Sequence, residues 1–350
     1  MLALAMALLI SACIPASAGA PNGHGGGRHK KNPPPPQEEA PDPPNNPPAD
    51  PGDPADPLSA DLGVYRGAAN TGGVDNYGNW LGTSVDVAED FFAGTNWSTI
   101  ESPGWWVSSW EGTGYRMSYG VPIIPDTGGS LATGASGAYN DHFRRLAELL
   151  VSGGQSDAIL RLGWEFNGNW YRWRAKADPV GFIGYWRQIV NTMRSVPGAD
   201  FAFDWNPTLG LNDWEGGTPF YAEDAYPGDE YVDYVGVDVY DQSWASGYQD
   251  PAVRWNEIYH GERGLVFWRN FAQNHGKPLS IPEWGVSERD DGHGGGDAPS
   301  FIQNMRDFIA SSNVEYHVYF EFDHTDGAHM LSDGQFPQSA ALYRELVGSG

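Results

Sequence analysis

Apolar and polar positions alternate with two different periods along residues 58–350. Eight short apolar runs have the length and composition of buried strands. They begin at Leu62, Ser84, Tyr115, Ala158, Phe201, Val232, Pro278 and Glu315. Several intervening segments, among them "AYNDHFRRLAELLVSGG" and "DPVGFIGYWRQIVNTMRSV", repeat apolar residues with a helical period and carry helix start or stop signals.

This alternation of strands and helices predicts an α/β fold with a parallel sheet. Eight strands in roughly 290 residues is the size of a (β/α)8 TIM barrel with inserted loops. The alternative is an open doubly wound sheet. It is disfavoured because no Gly-rich phosphate-binding fingerprint follows the first strand.

The first 57 residues differ from the rest of the chain. Residues 1–20 read as an export signal, an apolar run followed by small residues. The segment "ISAC" also resembles a lipoprotein box, which would make Cys13 a lipid anchor, but apolar residues continue past it and favour free secretion. Residues 21–57 carry 13 of the 27 prolines and predict a disordered linker. We assign residues 58–350 to one folded domain.

Composition narrows the classes of ligand. The chain has 15 Trp and 17 Tyr, and such side chains suit the flat C–H faces and hydroxyl edges of sugars. The formal net charge of −25 argues against nucleic acid or an anionic membrane as partner, because both attract basic surfaces. We expect a monomer, free or tethered at the cell surface, that binds polysaccharide and uses neither a cofactor nor a metal ion.

Two glutamates fall at the carboxyl ends of predicted strands, where a TIM barrel places its chemistry. Glu165 follows the fourth strand in "GWEFNG", and Glu283 ends the seventh in "PEWG". Two carboxylates on separate strands are what a retaining glycosidase needs, one as acid/base and one as nucleophile. Arg161 lies four residues before Glu165, on the same side of the strand, where a guanidinium would keep a nearby carboxylate ionised.

The stretch "RLGWEFNGNWYRW" resembles the acid/base motif of glycoside hydrolase family 26, the β-mannanase family. The matching positions are Arg161, Glu165, Asn167, Gly168, Trp170 and Trp173. The resemblance implies a retaining (β/α)8 enzyme with Glu165 as acid/base. "SIPEWG" resembles the nucleophile strand and implies Glu283 as nucleophile, and "PGDEYVDYVGVDVYD" implies that Tyr240 holds that nucleophile.

Ten residues are predicted to contact the substrate. They are Arg161, Trp164, Asn167, Trp170, Trp173, Asp204, Trp205, Asn206, Tyr240 and Trp284. Trp170, Tyr171 and Trp173 are expected to form a sugar platform, with at least one tryptophan structural. Trp164 stands where the family has a histidine, a change that implies a different sugar preference more than a different mechanism.

A few further polar residues are candidates of lower rank. Glu321 ends the eighth strand. Asp90 and Arg66 belong to early strands, and their positions are equally consistent with buried ion pairs and with a functional role. The Gly-rich loop 287–297 is expected to form a rim over the cleft, since its spacing fits no calcium-binding loop.

The sequence therefore predicts a secreted, retaining endo-glycoside hydrolase of β-linked polysaccharide, β-mannanase-like. The alternatives are a related retaining enzyme acting on xylan, β-glucan or a microbial exopolysaccharide, and a barrel that binds polysaccharide without cleaving it.

Overall fold

A computed structural model describes residues 58–348. Eight parallel strand positions close into a barrel, because the sixth pairs with both the fifth and the seventh, and the eighth pairs with the first. The strands are β1 (Asp61–Tyr65), β2 (Val87–Phe91), β3 (Arg116–Val121), β4 (Ile159–Leu162), β5 (Ala202–Trp205), β6 (Tyr234–Gly236 and Val239–Tyr240), β7 (Leu279–Gly285) and β8 (Val314–Phe320). All eight predicted strands and the TIM barrel are confirmed.

Helices surround this barrel. They are α1 (Thr71–Leu81), α2 (Trp97–Glu101), α3 (Gly104–Trp110), α4 (Leu131–Ala135), α5 (Asn140–Ser152), α6 (Pro179–Arg194), α7 (Pro251–His260), α8 (Leu265–Asn274), α9 (Pro299–Ser311) and α10 (Pro337–Val347). The connection from β5 to β6 contains only short 3-10 turns, Glu215–Gly217, Ala222–Ala225 and Asp229–Tyr231.

Local signals explain where the predicted helices begin. In α6, the side chain of Asp178 accepts a hydrogen bond from the backbone N–H of Gly181 at 2.9 Å, and Pro179 occupies the first turn. Helix α5 buries Phe143, Leu146 and Leu150 along one face, as its periodicity predicts.

The interior of the barrel has two layers with different chemistry. An apolar layer consists of Val87, Ile159, Ala202, Tyr234, Tyr316 and Val318. Side chains two residues further along three of these strands, Glu89, Arg161 and Asp204, form a buried polar layer above it. Side chains of a strand alternate between its two faces, so their neighbours point outward to the helices. This alternation puts charged groups directly beneath the carboxyl ends of the strands.

No helix within residues 58–348 is long and apolar enough to span a membrane. The predicted export signal, the lipoprotein cysteine Cys13 and the linker 21–57 all lie outside the described residues.

Candidate active site

Glu283 is held from two sides at the carboxyl end of β7. The guanidinium of Arg161 donates to Oε1 of Glu283, and the hydroxyl of Tyr240 donates to Oε2 at 3.0 Å. Only 7% of Glu283 is exposed, so both of these contacts act in a poorly solvated place. The predicted roles of Arg161 and Tyr240 beside this carboxylate agree with the geometry.

Arg161 is the centre of the polar layer and is fully buried. Besides Glu283, it pairs with Glu89 at 2.8 Å and with Asp238 at 3.3 Å, and its Nε donates to Asn206 at 2.7 Å. Its predicted contact with sugar is wrong, because Arg161 lies behind the nucleophile candidate and orients it. Burial raises the pKa of Glu89 and of Asp238 well above the usual range, against the opposing effect of Arg161.

Glu89 and Asp238 were missed by sequence reasoning. Glu89 lies in the strand segment "VAEDF", next to a second carboxylate, Asp90, and Asp238 lies in the apolar segment "VGVDVY"; a carboxylate within a buried strand is the signal that points to both. Asp238 lies at the break between the two parts of β6, where its buried side chain also accepts a hydrogen bond from Asn206 at 3.0 Å.

We expect Arg161→Met to destabilise the fold by about 3–5 kcal/mol, because removing one member of a buried ion network leaves its partners uncompensated. The matched control is Arg194→Met, whose partner Asp233 lies 2.9 Å away at the surface, where such pairs contribute about 0–1 kcal/mol. Urea unfolding curves of both variants measure the difference. Equal midpoints for the two variants would contradict a buried network around Arg161.

Glu165 has the opposite environment. The residue keeps some exposed surface at the mouth of the barrel, but its carboxyl group is enclosed by protein, and its Oε2 accepts a hydrogen bond from Nε1 of Trp170 at 2.9 Å. Burial and then the negative charge of Glu283 raise the pKa of Glu165 to about 8, although Trp170 and Arg161 pull it down. Glu165 therefore carries a proton at neutral pH, as a general acid requires.

The backbone at Glu165 is strained. Its φ of 50° lies in the left-handed region, a backbone conformation that residues other than glycine rarely adopt. The turn is held because the N–H of Glu165 donates to the carbonyl of Asn206 at 2.8 Å, and the N–H of Gly168 donates to the carbonyl of Glu165 at 2.9 Å. A Cβ at Gly168 would lie 2.4 Å from the indole of Trp170. Glycine at this position thus lets the indole reach the carboxylate.

Asn167 does not contact the cleft, contrary to prediction. It is 1% exposed, its amide donates to the carbonyl of Thr208 at 2.8 Å, and its Oδ1 accepts from the N–H of Thr208 at 2.9 Å. This pair of hydrogen bonds fastens the connection after β4 to the one after β5.

Two of the three tryptophans in the stretch "RLGWEFNGNWYRW" are structural. Trp164 is 3% exposed and packs on Phe91, Tyr171 and Trp173. Trp173 is 5% exposed, and its Nε1 donates to the carbonyl of Trp164 at 2.9 Å. Their burial contradicts the predicted sugar contacts of Trp164 and Trp173, and it agrees with the expectation that at least one tryptophan of the platform is structural. Trp170 and Tyr171 keep exposed surface beside Glu165.

Three predicted contacts on β5 and after it are also wrong. Asp204 is buried and accepts hydrogen bonds from Ser280 and Tyr316, both at 2.6 Å. Asn206 is buried against Arg161. Trp205 points outward, since its neighbour Asp204 points into the barrel, and it packs against helix α8.

Trp284 on β7 also points away from the barrel interior, as Trp205 does on β5. It follows the inward-facing Glu283, is 1% exposed, and its Nε1 donates to His317 at 3.2 Å. Its place in the core contradicts the prediction that it contacts sugar.

The candidates of lower rank are structural. Arg66 pairs with Glu321 at 3.3 Å, and Glu321 also accepts hydrogen bonds from the N–H groups of Leu331 and Ser332. Among residues 58–348, Asp90 has no cationic partner, and its side chain accepts a hydrogen bond from Nε1 of Trp110 at 2.8 Å.

Arg289 is one of the residues through which the loop 287–297 contacts neighbouring segments. Arg289 pairs with Asp291 at 2.8 Å and with Asp326 at 3.8 Å, and donates to Gln242 at 3.1 Å. Within residues 58–348, no cluster of three or more His, Cys, Asp or Glu side chains is arranged to hold a metal ion.

Comparison with known proteins gives matches in sequence. Residues 138–260 match the sequence profile of Glycosyl hydrolase family 26. Endoglucanase H of Acetivibrio thermocellus is 25% identical over 285 residues, which cover 77% of this chain and 28% of that protein. The chain thus spans less than a third of the length of this relative.

Solved structures share the fold. A modular endo-β-1,4-mannanase from Cellulomonas fimi has a TM-score of 0.54 and 20% identity, over 81% of this chain and 70% of that one. The catalytic domain of a family 26 endo-β-1,4-mannanase from Bacillus sp. JAMB-750 has a TM-score of 0.53 and 14% identity, over 83% and 87% of the two chains.

Proposed function

Since this chain belongs to glycosyl hydrolase family 26, we propose that it is a retaining endo-glycoside hydrolase of β-linked polysaccharide. Glu283 is the nucleophile and Glu165 the acid/base. The observation that carries this proposal is the contrast between the two carboxylates. Arg161 and Tyr240 donate hydrogen bonds to the two carboxylate oxygens of Glu283, whereas burial and then the negative charge of Glu283 raise the pKa of Glu165 to about 8.

In the first step, Glu283 attacks the anomeric carbon while Glu165 donates its proton to the leaving glycosidic oxygen. Glu283 then becomes a neutral ester. Burial, the larger cause of the raised pKa of Glu165, remains, but the contribution from the charge of Glu283 is gone, so the pKa of Glu165 falls and its carboxylate can take a proton from the attacking water. This mechanism requires a separation of about 5–5.5 Å between the two carboxyl carbons.

The pH dependence of the reaction follows from the protonation of Glu165. With its pKa raised to about 8, Glu165 is the acid at neutral pH and loses its proton as the pH rises through that value. We expect kcat/KM on polysaccharide to fall above about pH 8. A dinitrophenyl glycoside, whose leaving group needs no proton, should lack this basic limb. If kcat/KM falls above about pH 8 on both substrates, the ionisation responsible belongs to a group other than Glu165.

We propose that the substrate is a polysaccharide of the β-mannan or β-glucan type, cleaved within the chain. The names of the similar proteins, endo-β-1,4-mannanases and an endoglucanase, support this class. Trp164 places an apolar ring where the family has a histidine. Because Trp164 is buried, we expect it to affect the choice of sugar only indirectly.

Release of reducing ends from galactomannan, mixed-linkage β-glucan, xylan and microbial exopolysaccharides tests the function and selects the substrate. No release from any polysaccharide, together with retained binding, would favour the alternative of a binding barrel without catalysis. We further propose that the protein is secreted, free or anchored at the cell surface, and monomeric. Immunodetection in culture medium and membrane fractions tests the location.

A further inference from the structure

Three tryptophans are more than a third exposed within residues 58–348: Trp105, Trp214 and Trp244, at 58%, 55% and 49%. Their surroundings differ. Trp105 meets Trp106 edge-on with ring centroids 5.0 Å apart. Trp244 stacks on His293 and lies beneath the guanidinium of Arg289. In the described part of the chain, no ring or guanidinium packs on Trp214. Its faces are therefore the most available to a ligand.

The indole of Trp214 is held in place despite this exposure. Its Nε1 donates to the carbonyl of Leu211 at 3.0 Å, which ties the ring to its own loop. A tryptophan that is fixed by its N–H and open on its faces loses little conformational entropy when a flat apolar surface stacks on it.

The loop that carries Trp214 is clamped by Lys176. The ammonium of Lys176 donates to the carbonyls of Asp213 at 3.0 Å, Thr218 at 2.5 Å and Glu215, and it lies 3.4 Å from a carboxylate oxygen of Asp213. Asp213 is fully buried. The loop around Trp214 is therefore tied to the connection after β4 by four oxygens around one cation.

The same two connections are joined again beside the reaction centre, where Asn167 and Thr208 exchange hydrogen bonds two residues from Glu165. The connection after β5 is thus attached to the acid/base loop near Glu165 and again at Lys176. Trp214 therefore lies on a loop that is hydrogen-bonded to the loop that carries the acid.

We infer that Trp214 is a distal sugar-binding platform that stacks on a pyranose ring of a polysaccharide extending from the active site. This inference rests on the proposed function. It adds a specific contact that only a long chain uses, so the platform affects the polymer and not a short substrate.

The test compares Trp214→Ala with Trp105→Ala. Trp105 is similarly exposed, but it does not lie on the loop that Lys176 holds. On galactomannan or mixed-linkage β-glucan, whichever is cleaved, Trp214→Ala should lower kcat/KM about tenfold, which equals ~1.4 kcal/mol. On an aryl disaccharide it should stay within about twofold of wild type, and Trp214→Phe should recover most of the loss. Trp105→Ala should change neither rate, and thermal unfolding should be unaltered in all three.

Migration through gels containing the same polysaccharides measures binding without turnover. Trp214→Ala should be retarded less than wild type, and Lys176→Met should show the same selective loss because its loop is released. Equal losses on polymer and disaccharide, or unchanged retardation of Trp214→Ala, would overturn the inference. A wild type that is retarded yet cleaves nothing would contradict the proposed function and leave the retardation of Trp214→Ala to decide the platform.

Discussion

Glu283→Ala should lower kcat on polysaccharide by on the order of 10⁴-fold or more, because no covalent intermediate forms without the nucleophile. The loss should be as large on a dinitrophenyl glycoside, since an activated leaving group does not replace the attacking carboxylate. Initial rates on both substrates measure the effect.

The matched control for this variant is Tyr240→Phe. It removes only the hydroxyl that donates to Glu283 at 3.0 Å and should cost a much smaller factor. Glu283→Gln keeps the shape of the side chain and should be as inactive as the alanine variant. Folding is checked by thermal unfolding. Substantial turnover by a folded Glu283→Gln variant on the aryl glycoside would remove Glu283 from the mechanism.

Glu165→Ala should separate the two steps of the reaction. Turnover of polysaccharide should fall by about 10²–10⁴-fold, the contribution of a positioned general acid. Glycosylation by a dinitrophenyl glycoside should be much less affected, because its leaving group departs without a proton. The glycosyl-enzyme should then accumulate, since no base activates water, and azide should restore turnover by attacking it. A glycosyl azide of retained configuration is the expected product.

The control for a structural role is Glu165→Gln. Because burial raises the pKa of Glu165, the fold favours its protonated form, and this contribution to stability is lost as the pH rises through about 8. Glutamine stays neutral, so Glu165→Gln should unfold at a higher temperature than wild type at pH 9 while remaining inactive on polysaccharide. A lower unfolding temperature and equal losses on both substrates would assign Glu165 a structural role.

The strand periodicity and the position of catalytic groups in a barrel could be predicted from the sequence. Glu165 and Glu283 could be proposed as catalytic residues because each ends an apolar run and has few charged residues next to it in the sequence. Trp205 and Trp284 were misassigned although the two-residue period of a strand turns each away from its inward-facing neighbour. Aromatic composition suggested sugar contacts, but these rings fill the layer between barrel and helices.

The remaining features of the site depend on contacts between segments that are distant in the sequence. Asn167 matches a motif beside the acid, yet it bonds to Thr208, 41 residues away. Glu89 was not singled out because its partner Arg161 lies on another strand of the barrel. Such pairings depend on strand register and loop packing, which periodicity does not determine.

The most direct test of the mechanism is to trap the covalent intermediate. A 2-deoxy-2-fluoro glycoside with a dinitrophenyl leaving group, of the sugar that the active polysaccharide contains, is incubated with the enzyme and the digest is analysed by mass spectrometry. We expect one added fluoroglycosyl unit on the peptide that contains Glu283, and none in Glu283→Gln. A label on another carboxylate, or no label together with a first-formed product of inverted anomeric configuration, would contradict the mechanism.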